Sequence, residues 1–147
     1  MKNVITIMFL FLSKILYSYD FEFEILSHEG DVRIVELPNL LIYRQFQIKS
    51  NWKDTLGDWG IVECTGTHTL YKRKGTILKN YCKGTNAEDD DFWLIMNRNS
   101  DDFEIGVGKI TYIKGEGKFK EYEKFKCVYA VELIEGLAVL KQKCITK

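Results

Sequence analysis

At 147 residues the chain is the size of one domain, and its 46% hydrophobic content is too high for a disordered segment. The 21 Lys and Arg are balanced by 21 Asp and Glu, which leaves none of the basic excess that phosphate neutralisation on nucleic acid requires. With 14% aromatics, one proline and many Ile, Val and Thr, the composition favours pleated, half-buried strands, where flat and branched side chains pack well.

The chain opens as a secretory signal does. Lys2 supplies a short positive region, and the apolar run from Val4 to Leu12 has the length of a signal core. Lys14 interrupts that run well before the roughly 20 apolar residues of a membrane helix. Ser18 offers a small residue for cleavage, although Leu16 fits the small-x-small rule poorly. The expectation is a signal peptide at 1–18, a single domain at 19–147, export to the periplasm or beyond, and no stable membrane span after processing. A buried first strand or an uncleaved anchor is the alternative.

Beyond this point no long amphipathic helical stretch occurs. Short apolar or alternating runs recur between Gly, Asn and Asp punctuation, the pattern of a meander, sandwich or barrel. Strands are predicted at 21–26, 32–37, 40–48, 60–71, 76–83, 92–98, 105–113, 126–133 and 137–145. Residues 51–58 read as a loop, and 118–123 as a helical turn or irregular connection. The fold expected is all-β: an antiparallel barrel or bent meander of about eight strands, with a sandwich as the alternative. Closure removes exposed edges, and eight strands enclose either a filled core or one small ligand.

Cys64, Cys82, Cys127 and Cys144 all follow the signal, and an even count in an exported chain implies two disulfides, with three possible connectivities. Zinc is excluded by spacing: there is no C-x-x-C, and neither His28 nor His68 stands at ligand spacing from a cysteine pair. If Glu135-Gly136 is a two-residue hairpin turn, Ile134 pairs with Leu137 and, counting outward, Cys127 faces Cys144. That is a non-hydrogen-bonded pair, with Cα atoms about 4.5 Å apart. The same register puts Tyr129, Val131 and Leu133 on one face with Gln142, Leu140 and Ala138, and every charge on the other. The first face should be interior. A loop at Arg73-Lys74-Gly75 would set Cys82 opposite Gly66, one diagonal step from Cys64, so a Cys64–Cys82 bridge needs a bulge or register change. Cross-pairing such as Cys64–Cys144 stays open.

No cofactor is implied. Gly106-Val107-Gly108 and Gly115-Glu116-Gly117 both lack the third glycine of a dinucleotide loop, and neither G-x-S-x-G nor H-E-x-x-H occurs. Glu88-Asp89-Asp90-Asp91 lacks the spaced ligands and turn glycine of a calcium loop, and reads as a solvated hairpin tip. His28 and His68 are isolated in sequence. Six lysines between Lys109 and Lys126 interleave with Tyr112, Phe119, Tyr122 and Phe125, but Glu116, Glu121 and Glu123 blunt the patch. A core face with a solvated back is the expectation, and no nucleic-acid partner.

The segment Ile105-Gly-Val-Gly-Lys-Ile-Thr-Tyr-Ile-Lys-Gly-Glu-Gly-Lys-Phe119, with the strand after it, resembles the allene oxide cyclase-like barrels. These small calycin-like β-barrels include dirigent proteins, and Gly115-Glu-Gly-Lys-Phe119 is similar to their shared G-x-G-[KR]-[FY] motif. The resemblance covers 104–134. It departs from the pattern after the aromatic, where Lys120 to Lys126 contains no glycine. It implies a barrel, and no cyclase active-site residue carries over. Phe92-Trp93, Arg98-x-Ser100 and Lys141-Gln-Lys-Cys144 are similar to uncharacterised small exported proteins of marine bacteria, which again implies export and disulfides.

Three functions are weighed. The leading one is binding of a small apolar or amphipathic ligand in the barrel, with Tyr129 and Gln142 as inward polar contacts and Trp93 and Arg98 as further candidates. The others are a cyclase-like or isomerase-like enzyme with convergent polar groups inside, and an envelope interaction module with a solid core that acts through loops such as 51–58.

Overall fold

Side-chain alternation governs the architecture: along almost every strand, buried and exposed residues take turns. A computed structural model describes residues 21–28, 30–38, 41–71, 75–102, 104–135 and 137–146. The expected signal at 1–18 lies outside them, as do residues 73, 74 and 136 of the two expected turns and the side chain of His28.

Nine strands form one antiparallel sheet: β1 (Phe21–His28), β2 (Asp31–Leu37), β3 (Leu41–Asp54), β4 (Trp59–Tyr71), β5 (Gly75–Asn86), β6 (Asp91–Ser100), β7 (Ile105–Gly115), β8 (Phe125–Ile134) and β9 (Leu137–Thr146). From β2 to β9 each strand pairs with the next in sequence. Closure comes from β1, which lies between β9 and the second half of β3. The first half of β3 instead carries β2, from Asp31 opposite Gln47 to Leu37 opposite Leu41. The result is a closed eight-stranded barrel with β2 as an additional strand along one end of β3.

Two expectations need correction. Residues 51–54 are not loop: β3 continues to Asp54 because Trp52 turns inward against Phe23 and Phe92, with ring centroids 4.9 and 5.4 Å away. Only the following turn is irregular, and the Asp54 carboxylate accepts from the Leu56 and Asp58 N–H groups at 2.9 and 2.8 Å. The β4–β5 register also differs, by two residues. Tyr71 pairs with Gly75, so the connection is 72–74 and Gly75, at φ 89°, is the first strand residue. Cys64 then faces Cys82 directly, and no bulge is needed.

The β8–β9 hairpin has the register read from sequence, with Cys127 opposite Cys144 and Glu135 in the left-handed region at φ 51°. Both cysteine pairs stand at disulfide distance, with Cα separations of 4.1 Å for Cys64–Cys82 and 4.2 Å for Cys127–Cys144. All four sulfurs point into the barrel.

One end of the barrel is solid. A 3-10 helix, Gly117–Lys124, caps it and delivers Phe119 and Tyr122 inward. These rings meet Phe21, Phe23, Trp52, Phe92 and Tyr112 in a network of mostly edge-to-face contacts, with centroids from 4.9 Å for Phe92–Phe119 to 6.4 Å for Phe23–Tyr122. Elsewhere inside, bare backbone makes room for a ring. A Cβ on Gly108 would lie 2.4 Å from Tyr129 Cε1 and 2.5 Å from the Asn97 carbonyl oxygen. Because that oxygen is backbone and cannot swing aside, Gly108→Ala is expected to destabilise by about 1–3 kcal/mol. Urea denaturation measures this, and an unchanged midpoint would contradict the packing described.

A candidate ligand site in the barrel lumen

The half of the lumen opposite the plug is not filled. A half-open cavity of about 170 Å³ lies there, a volume comparable to the engineered benzene-binding cavities known from protein cores. Its walls are mixed. Apolar contacts come from Ile25, Val62, Leu78, Met96, Val131, Leu133 and Leu140, and polar ones from Arg44, His68, Asn80, Arg98 and Tyr129.

These polar groups converge for a simple geometric reason. The registers compose into one inward-facing row around the wall: Arg44 opposite His68, His68 opposite Leu78, Leu78 opposite Arg98, Arg98 opposite Gly108, Gly108 opposite Tyr129, and Tyr129 opposite Gln142. Gly108, bare between Arg98 and Tyr129, lets the phenol ring lie across β7. Residues far apart in sequence thus form a polar girdle above the plug.

Burial dominates the chemistry of this girdle. Tyr129 is only 2% exposed, and desolvation pushes its phenol up to about 12 although Arg98 acts the other way. It therefore remains a neutral O–H donor at physiological pH, and that hydroxyl has no hydrogen-bond partner among the described residues. The Asn80 Oδ1 acceptor is in the same position. His68 lies against the Thr76 hydroxyl. Burial first, then the Arg98 and Arg44 guanidiniums, depress its imidazole to about 4.

A pH dependence follows. The folded state holds His68 neutral while the unfolded chain protonates near 6.5, so the His68 contribution is complete above that value and declines as pH falls toward 4. Between pH 7 and pH 5 the wild type is expected to lose about 2 kcal/mol more than His68→Gln. Parallel urea curves for the two proteins over that range would contradict a buried neutral imidazole.

Of the residues singled out from sequence, Tyr129 and Arg98 line the cavity. Gln142 is inward and 1% exposed but sits below the cavity, donating from Nε2 to the Tyr112 hydroxyl at 2.8 Å. Trp93 is on the outer wall, with the Lys114 and Lys83 ammoniums 5.0 and 5.7 Å from its ring centroid. Sequence reasoning missed Arg44, His68 and Asn80. The signal available for them was strand phase, since each shares the inward parity of apolar neighbours: Arg44 with Phe46 and Ile48, His68 with Val62 and Cys64, Asn80 with Leu78 and Cys82.

The fold and the lumen define a small closed antiparallel barrel with an internal cavity. No protein-family model matches the chain, and no curated protein matches it by sequence. Solved structures do share the fold. A protein of unknown function from Clostridium acetobutylicum is similar with a TM-score of 0.71 at 9% identity, over 84% of this chain and 96% of that one. A β-barrel-like protein from Acinetobacter baumannii is similar with a TM-score of 0.69 at 6% identity, over 84% and 92%. A pterocarpan synthase dirigent protein is similar with a TM-score of 0.50 at 11% identity, over 88% and 91%. At such identities the likeness is one of fold.

Proposed function

We propose that the protein is an exported binding barrel that holds a small amphipathic molecule in the upper lumen. The observation that carries this reading is the cavity itself: a space lined by apolar side chains, among them Val131, Leu133 and Leu140, together with the polar girdle. An interaction module with a solid core would have no use for it. The buried Tyr129 hydroxyl and Asn80 carbonyl, without hydrogen-bond partners among the described residues, are groups that a ligand would satisfy. Two cysteine pairs at disulfide distance support an oxidising compartment, in keeping with the signal-like N-terminus. The resemblance of 105–119 to allene oxide cyclase-like barrels, and the dirigent neighbour, support a barrel of this kind.

The test is a methyl NMR titration with 1-octanol, a neutral amphiphile of matching size. Shifts should concentrate on Leu78, Val131, Leu133 and Leu140 and spare the outward Val107 and Val128. No perturbation of the lumen methyls up to the solubility limit would remove the reading.

A further inference from the structure

Several buried hydroxyls of the inner wall have partners that the fold supplies. Ser27 and Ser50 both line the cavity and bond to each other. The Thr76 hydroxyl meets the His68 ring. In the plug, the Tyr112 hydroxyl accepts from Gln142 Nε2 at 2.8 Å. Tyr129 is the contrast. The register sets Gln142 directly opposite it, yet Gln142 Nε2 is turned to the Tyr112 hydroxyl and to Cys144 Sγ. On the other side the residue opposite is Gly108, which has no side chain to offer. The Tyr129 hydroxyl is left without a hydrogen-bond partner among the described residues, although the residue is 2% exposed and lines the cavity. The fold gains nothing from that oxygen. Phenylalanine would fill the same space over Gly108 without desolvating a hydroxyl. A buried donor kept beside an unfilled cavity is accounted for by what enters the cavity.

We propose, building on the reading of the lumen as a ligand site, that the ligand is a small apolar molecule with one hydrogen-bond acceptor oxygen, such as a ketone. The Tyr129 hydroxyl is the donor that selects it. Tyr129 keeps its proton at neutral pH, so it meets the ligand as an O–H group. The apolar body lies among Met96, Val131 and Leu140. At about 170 Å³ the cavity holds a short chain or a single ring and excludes a full-length lipid.

Methyl NMR titrations of the wild type and Tyr129→Phe with cyclohexanone and methylenecyclohexane test this. The two probes have the same shape and differ only in the oxygen. A hydrocarbon leaves water more readily than a ketone, so the quantity read is the ratio of the two affinities, compared between the two proteins. Tyr129→Phe is expected to weaken cyclohexanone about five- to tenfold and to leave methylenecyclohexane unchanged or tighter. The urea midpoint of the ligand-free variant should stay level or rise, because no bond within the protein is lost. A variant that loses stability or does not fold would show the hydroxyl to be held by the protein itself, and would overturn the proposal. The wild type gives a second reading: the infrared carbonyl stretch of bound cyclohexanone should fall below its frequency in an alkane. An alkane-like frequency would mean that no donor reaches the oxygen. An affinity ratio that Tyr129→Phe leaves unchanged would overturn this inference and leave the lumen reading intact. If neither probe shifts a lumen methyl at saturation, both fall together.

Discussion

Phe92→Ala is expected to cost about 3–5 kcal/mol, the largest effect of any single substitution considered. Phe92 is 2% exposed at the centre of the plug, with ring centroids 5.4 Å from Trp52, 4.9 Å from Phe119 and 5.7 Å from Tyr112. It also covers Gly84, where a Cβ would come within 2.0 Å of the ring. Its neighbours cannot close the gap, because Trp52 and Tyr112 are held by their strands and Phe119 by the 3-10 helix. The cost should therefore fall near the upper end for an aromatic truncation. Chemical denaturation measures it, and a loss under about 1 kcal/mol would show that the plug is loosely packed.

The second large effect concerns the crosslinks. Replacing Cys127 and Cys144 together by Ala should destabilise by about 3 kcal/mol in the loop-entropy model, given a sequence separation of 17. Cys64 and Cys82, separated by 18, should contribute about the same. Together they rival the total stability of about 5–15 kcal/mol typical of one domain, so the fully reduced chain should be marginal. Urea curves with and without reductant, beside those of the double-alanine variants, measure both terms. Reduction that leaves the midpoint unmoved would mean that the pairs carry no crosslink.

How much of this was legible in the sequence depends on how locally it is encoded. The β8–β9 hairpin could be read to the residue, because a two-residue turn fixes the register and alternation checks it independently. The β4–β5 hairpin came out two residues off in register. Gly75 resembles a loop residue in composition, yet it begins β5 with a positive φ. The end of β3 was lost because Asn51, Asp54 and Gly57 look like punctuation, while the inward Trp52 shows its role only once the plug exists. The polar girdle was the least legible feature. Bringing Arg44 to Tyr129 requires five strand registers in succession, and an error in any one of them separates the side chains along the barrel. Parity alone could have marked Arg44, His68 and Arg98 as inward, but not that they would meet.

The central claim is that a hollow above the aromatic plug receives an amphipathic molecule. A crystal structure of the protein grown with 1-octanol tests it most directly. Octanol inside the barrel, its tail beside Val131 and Leu140 and its oxygen at the Arg98–Tyr129 girdle, is the predicted result. Octanol confined to the outer wall near Tyr81 and Trp93, around a lumen filled by its own side chains, would contradict the account.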